Sequence, residues 1–166
     1  LSVYRMTLHY RHIETPLGQM VIAAHAQGLA GVWFEGQQHM PEVSSWQIAG
    51  NNAVLDDTQE QLQQYMRGQR QAFDLPLAPA WGTEFQRAVW QALHGVEFGA
   101  TSTYGQLAQA LGKPQASRAV GAAVGRNPWS VVVPCHRILG SQGALTGYAG
   151  GIERKVALLK IEGVLL

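Results

Sequence analysis

The 166 residues predict two small units in series: an α+β N-terminal domain of antiparallel sheet plus helix, then a mainly α C-terminal domain with a helix-turn-helix. Three observations carry this reading. Residues 8–34 form short apolar or alternating runs separated by Gly and Pro turns, the pattern of hairpin-connected strands. From residue 83 onward apolar residues recur at helical spacing behind recognisable start signals. Between them, residues 69–82 contain Pro76 and Pro79 and show little period, as a connection does. The expected domains are residues 1–75 and 83–166, with 76–82 as linker.

Leu8 to Glu14 alternates, Thr15-Pro-Leu-Gly18 reads as a turn, and Met20–Ala24 and Leu29–Phe34 follow around a Gln27-Gly28 turn. Together they predict an antiparallel meander. Residues 41–52 have no clear period and are expected to be loop. Asp56 to Arg67 is expected to be helical, capped by Asp56 or Asp57, with Leu62, Tyr65 and Met66 on its apolar stripe. Thr83 and Gln86 have capping-box spacing, and Phe85, Ala88, Val89, Ala92 and Leu93 are the expected buried face of the helix they start. Tyr104 to Leu111 is a short helix buried through Leu107, Ala108 and Leu111. Gly112-Lys-Pro114 breaks it, and Pro114 is expected to open the next helix, 115–125. Two helices across so short a turn predict the helix-turn-helix. Ser130–Val133 reads as a brief extended run ending at Pro134. A Gly-rich loop reaches Gly151, and residues 152–162 close the chain as an amphipathic helix. Leu1 is not an initiator residue and Met6 can be the start, so residues 1–5 are given no structural role.

Composition bounds the function. With 46 % apolar residues a packed core is attainable, and no run of about 18 apolar residues predicts a membrane span. The first ten residues lack the basic start and apolar stretch of a secretory signal. One cysteine excludes an internal disulfide and a multi-cysteine zinc site, so no metal and no cofactor is expected. A free thiol suits a reducing cytoplasm. Residues 1–81 hold four Arg, no Lys and seven acids, whereas residues 82–166 hold five Arg, three Lys and four acids, a balance of −3 against +4. A basic C-terminal part is what a nucleic-acid-binding half would show; such asymmetry also arises without meaning.

In the helix 115–125, Ala116, Val120, Ala123 and Val124 can face a core, while Ser117, Gly121 and Gly125 fall at i, i+4 and i+8 and leave a face almost without side-chain bulk. A mid-helix Gly costs about 1 kcal/mol relative to Ala, so Gly121 suggests a close approach to the backbone, by another helix of this protein or by an external partner. Arg118 is the helix's only charge, a surface charge or a probe.

Pro134-Cys135-His136-Arg137 is the most informative stretch. A free cysteine is ordinarily a buried small hydrophobe. A nucleophilic one reacts as thiolate and needs a base or positive charge nearby, and His136 and Arg137 adjoin it. Adjacent side chains point apart, so a bridging water between Cys135 and His136 is a natural arrangement. Glu162 lies where the helix dipole disfavours a carboxylate, on one face with Leu158 and Leu159. It is either an ordinary helix-end acid or the third member of a triad that orients the histidine. Asn127-Pro128 alone reads as a turn, and Tyr104 and Tyr148 as packing residues.

Six segments in order resemble the O6-alkylguanine-DNA alkyltransferases, the bacterial members especially: residues 83–90, 103–108, 117–122, Asn127-Pro128, Val133-Pro-Cys-His-Arg137 and 145–151. The resemblance is strongest from Gly82 to Gly163; the N-terminal half fits more loosely, implying a ribonuclease-H-like domain. It implies single-turnover repair, in which Cys135 takes the alkyl group from O6 of guanine, and from O4 of alkylthymine, in double-stranded DNA. Cys135 would be activated through water by His136 held by Glu162. Asn127 matches the asparagine that braces the turn, and Tyr104 the tyrosine that rotates the target phosphate and donates to N3 of guanine. Arg118 matches the arginine that fills the gap left by the extruded base. Ser117, Gly121, Ala122, Arg126 and Arg137 are the other expected DNA contacts, in the minor groove. Tyr148, Ile138, Val133, Ala149 and Ser130 are expected around the base pocket, with the carbonyls of Cys135 and Ile138 meeting the exocyclic amine. Ser130 and Ala149 depart from some relatives, which have proline and serine there. The family's zinc-containing members use cysteines that this chain lacks, so no metal is expected. The free thiol suits the cytoplasm, and a monomer is expected because nothing suggests an obligate dimer.

Other readings have less use for these residues. A cysteine hydrolase on Cys135, His136 and Glu162 would not need Arg118. A lesion-binding module of the alkyltransferase-like kind would lack the acceptor cysteine. A transcription regulator would leave Pro-Cys-His-Arg without a task.

Overall fold

The computed structural model describes residues 7–166; the five residues given no structural role, and Met6, lie outside them. An N-terminal sheet domain is followed by a helical C-terminal domain. Strands β1 (His9–Thr15), β2 (Gly18–His25) and β3 (Gly28–Phe34) form the expected antiparallel meander. A two-residue strand, β4 (Gln47–Ile48), lies parallel to β1, giving the order β3-β2-β1-β4. It falls within the stretch expected to be loop, because two residues are too few to carry a period.

Helix α1 (Ala53–Met66) packs against β1, β2 and β3. It begins three residues earlier than expected, and its cap is Asn52, whose Oδ1 accepts from the Leu55 amide at 3.0 Å. A short Asn or Asp at this position satisfies an amide that the first turn leaves free. Leu62, Tyr65 and Met66 are buried as the stripe predicted. One face of the sheet enters the main core through Ile13, Met20, Ile22 and Phe34; the other, through Val21, Ala23 and Trp33, is covered by Tyr10, Met40, Val43 and Trp46.

Residues 76–78 are more than a connection. The Leu29 amide donates to Pro76 O at 2.7 Å and the Ala78 amide to Leu29 O at 2.9 Å, lacing the chain along β3.

The C-terminal half comprises α2 (Glu84–Leu93), β5 (Ser102–Thr103), α3 (Tyr104–Ala110), α4 (Ser117–Gly125), β6 (Ile138–Leu139) and α5 (Ile152–Ile161), with β5 and β6 paired in parallel. Capping boxes start α2 (Thr83/Gln86) and α3 (Thr103/Gln106). In α2 the buried residues are Val89, Trp90 and Leu93, while Ala88 is exposed. Trp90 takes that place because its indole N–H reaches the Ala123 carbonyl at 2.8 Å and pins α2 to α4. Pro114 does not open α4; it sits in the preceding turn and the helix starts three residues later.

Residues 130–133 are turn rather than extended chain. Val131 has φ 73°, and the Val133 amide returns to Trp129 O at 2.9 Å. Three valines running up to a proline look like a strand, but burial alone accounts for their character. Across the two halves the Val32 amide donates to Pro128 O at 2.8 Å, the Ser130 amide to Val32 O at 2.9 Å and the Trp129 indole to Leu29 O at 2.9 Å. One hydrophobic core runs through both, from Met20 and Tyr65 to Cys135 and Leu158. No helix among the described residues is long and apolar enough to cross a membrane.

Candidate active site

Cys135 opens a single 3-10 turn, Cys135–Arg137, held between the 127–134 turns and β6. Asn127 braces this approach: its Nδ2 donates to Val133 O at 2.9 Å and Trp129 O at 3.3 Å, and its Oδ1 accepts from the Trp129 amide at 3.0 Å. An Asn that bonds two strands of a turn at once fixes the backbone that carries the thiol. The thiol lines a cavity of about 230 Å³ with Gln38, His39, Tyr104, Gly121, Ala122, Val124, Gly125, Gly147, Tyr148 and Ala149. Burial pushes the thiol pKa up, while the Asn127 amide and the Lys155 charge oppose that rise. A resting thiol therefore needs a base to become nucleophilic.

A candidate base adjoins it in the same turn. His136 is fully buried, and its Nε2 lies 2.7 Å from Glu162 Oε2. Burial pushes the Glu162 carboxyl up, but hydrogen bonds from His136 and Arg137 outweigh this and lower its pKa to about 2. An ionised carboxylate only accepts, so Nε2 carries the proton and Nδ1 presents its lone pair. Nδ1 has no protein partner among the described residues. Burial holds the imidazole pKa below its ordinary value despite the carboxylate, leaving a neutral histidine able to take a proton.

Glu162 caps α5 at its C-terminal end, where the dipole opposes it, and is stabilised by donors from three segments of chain. Oε2 accepts from Tyr65 Oη at 2.6 Å, His136 Nε2 at 2.7 Å and Arg137 Nη2 at 2.9 Å. Oε1 accepts from Arg137 Nε at 2.8 Å and the Gly99 amide at 3.4 Å. The expectation that Arg137 faces DNA is corrected: it is buried, forked onto Glu162 and donating to Val96 O at 2.7 Å. A buried carboxylate needs a paired cation, and Arg137 supplies it with Nε 2.8 Å from Oε1.

The other expected residues separate into wall, frame and surface. Tyr104, Tyr148, Ala149, Gly121 and Ala122 line the cavity. Burial raises the Tyr104 pKa, so its hydroxyl stays protonated. Val133, Ile138 and Ser130 are buried and are not cavity liners; Ser130 Oγ donates to Gln37 Oε1 at 3.1 Å. Arg118 and Arg126 are exposed, with Ser117 half-buried on the same helix. The bare face of α4 is mostly open, touched only at Gly121 by the first residue of α3. A Cβ on Gly121 would meet only the Tyr104 ring, at 3.6 Å, and one on Gly125 would meet nothing within 4 Å.

Three features were missed from the sequence. Lys155 is fully buried and donates from Nζ to the carbonyls of Ile138, Thr146 and Gly147, tying down the cavity loop. Its position four residues before Leu159 put it on the buried face of α5. Tyr65 read as apolar stripe, and its hydroxyl's target lies 97 residues away. Gln38 and His39 bring the N-terminal domain to the cavity, where the Gln38 amide donates to Ala149 O at 3.0 Å; no periodic pattern marks such a loop.

Residues 8–79 match the ribonuclease-like domain of 6-O-methylguanine DNA methyltransferase and residues 84–164 its DNA-binding domain. A methylated-DNA–protein-cysteine methyltransferase of Methanosarcina acetivorans is 43 % identical over 157 residues, covering 94 % of this chain and 99 % of that one. The Mycobacterium tuberculosis OGT, solved in complex with DNA, superposes with a TM-score of 0.85 at 40 % identity, covering 93 % of this chain and 92 % of that one. The O6-methylguanine-DNA methyltransferase of Pyrococcus kodakaraensis superposes at 0.70 with 28 % identity, covering 95 % of this chain and 100 % of that one. The chain therefore belongs to the 6-O-methylguanine DNA methyltransferase family.

Proposed function

We propose that this protein repairs alkylated DNA directly, moving the alkyl group from O6 of guanine, and from O4 of alkylthymine, onto Cys135 once per molecule. The observation that carries this is a buried thiol on the wall of a base-sized cavity, beside a neutral histidine locked by Glu162. The thiol proton passes to His136 Nδ1 through a bridging water. Sγ then bonds to the alkyl carbon as its bond to O6 breaks, and the electron pair returns to the purine. A hydrogen bond from the Tyr104 hydroxyl to N3 stabilises the departing purine anion, and the proton taken up by His136 returns through water to N1, so thiol and alkylated base become thioether and guanine. The thioether has no neighbouring group suited to hydrolyse it, so the protein is consumed.

Reaching O6 requires the base to leave the stack at a cost of a few kcal/mol, least for a badly paired base. The pair α3–α4 serves as a helix-turn-helix laid in the minor groove, its open Gly121/Gly125 face admitting the backbone. Arg118 fills the gap in the duplex, and Ser117, Ala122 and Arg126 contact the flanking strand. Tyr148 and Ala149 wall the base, and Ser130, Val133 and Ile138 support that wall from behind. The N-terminal domain, residues 1–75 and ribonuclease-H-like in its sheet and helix, is joined by 76–82 to the transfer domain, 83–166. Cys135→Ala tests the assignment: it keeps affinity for an O6-methylguanine duplex and loses all transfer. Loss of binding together with transfer would contradict the role given to Cys135.

A further inference from the structure

The reaction as proposed draws only on the C-terminal half, yet the carboxylate that orients His136 is also held from the other domain. Tyr65 sits on α1, fully buried, with its ring against Phe73 (centroids 5.4 Å apart) and edge-on to Phe98 (6.4 Å). Its hydroxyl donates to Glu162 Oε2 at 2.6 Å, the same oxygen that receives His136 Nε2. We propose that Tyr65 is a positioning residue for the transfer reaction: its hydroxyl fixes the carboxylate that fixes the imidazole, so the N-terminal domain completes the reacting group of the C-terminal one. This rests on the functional reading above and adds a residue and a domain to it.

Two consequences follow from the geometry. Oε2 shared among a phenol, an imidazole and a guanidinium cannot swing freely, because the phenol comes from α1 and the other two from the 135–137 turn. The phenol also draws charge from the oxygen facing His136. Glu162 then orients the ring without holding a proton on Nδ1, and the lone pair stays available for the thiol proton. The charged and titratable groups facing His136 are Glu162 and Lys155 from α5, Cys135 and Arg137 of its own turn and, through Glu162, Tyr65 from α1. Removing the phenol leaves the others in place, so the direction of change is set: the carboxylate becomes a stronger partner for an imidazolium, and His136 becomes easier to protonate.

The test is the titration of His136 by nitrogen NMR in the parent, in Tyr65→Phe and in Phe73→Leu, with the pH dependence of alkyl transfer measured on each. Tyr65→Phe keeps the ring and removes only the donor. Its His136 midpoint is expected to rise by about half a unit to one unit, and the acid limb of the transfer profile to move up with it. Phe73→Leu loosens the packing around the ring without touching Glu162; it is expected to lower Tm and leave both midpoints where they were. An unmoved or lowered midpoint in a folded Tyr65→Phe would overturn the role of Tyr65. So would an equal shift in Phe73→Leu, since packing alone would then explain it. Absence of transfer by the parent protein would instead overturn the functional reading, and the two failures are read from different samples.

Discussion

Glu162→Gln puts the largest strain on the account. The substitution is nearly isosteric, so its effect isolates charge and acceptor capacity. The parent carboxylate is buried and takes two hydrogen bonds from Arg137, one from His136, one from Tyr65 and a longer one from the Gly99 amide. An amide offers one accepting oxygen and turns an NH2 group toward a donor that cannot accept. The Arg137 guanidinium would remain, buried and without its anion. Removing one partner of a buried pair costs about 3–5 kcal/mol. For a chain of this size that lowers Tm by on the order of 10 °C. Transfer should fall by roughly 100-fold, the lower end of what general-base catalysis contributes, because His136 remains but loses the carboxylate that orients it. The assay pairs thermal unfolding with the transfer rate, and a cycle with Arg137→Met separates the terms. If the cost comes from the stranded guanidinium, the double variant is more stable than Glu162→Gln alone. A Glu162→Gln protein that loses less than about 1 kcal/mol and transfers at the parent rate would refute the reasoning.

Further outcomes follow from the same geometry. Because the folded Glu162 pKa is held down to about 2 from an ordinary 4.5, its contribution is present above pH 4.5 and lost as pH falls toward 2. That contribution is on the order of 3 kcal/mol, and urea unfolding across this window should flatten in Glu162→Gln; identical slopes would contradict the assignment. Gly125 has open space where a Cβ would stand, so Gly125→Ala should stabilise the fold by up to about 1 kcal/mol. Gly125→Leu should leave Tm near the parent value yet weaken duplex binding roughly tenfold, about 1.4 kcal/mol; parent-like binding would show that DNA does not meet this face. Arg118 is exposed, so Arg118→Ala should leave stability within about 0.5 kcal/mol. It should slow repair in duplex far more than reaction with the free alkylated base, and equal losses would exclude a base-flipping role.

What could be read from the sequence divides along a physical line. The three meander strands, both long C-terminal helices and the Thr83 cap were legible because their signals are local: a period, a cap, a turn dipeptide. The Ser130–Val133 turn was misread because burial on all sides gives a turn the same apolar character as a strand. Cys135 and His136 stood out because a Pro-Cys-His-Arg run is unusual by itself, whereas Glu162 read as an ordinary helix-end acid until the family resemblance gave it a role. Arg137 was assigned to the wrong partner for an instructive reason: next to a proposed DNA site, a cation reads as a phosphate contact unless the buried acid it serves is known to lie beside it. Tyr65 and Lys155 could not be found by period alone. Each sits on an apolar stripe, and the acceptors that explain its polar tip come from other elements.

The central claim is that Cys135 itself ends the reaction alkylated. Intact mass before and after mixing with excess duplex containing O6-methylguanine tests it most directly, with peptide mapping of the product. The account predicts that one methyl group replaces one hydrogen, on the peptide carrying Cys135, and that the reaction stops at one equivalent. Repaired base released in excess of protein, or repair with the protein's mass unchanged, would contradict it.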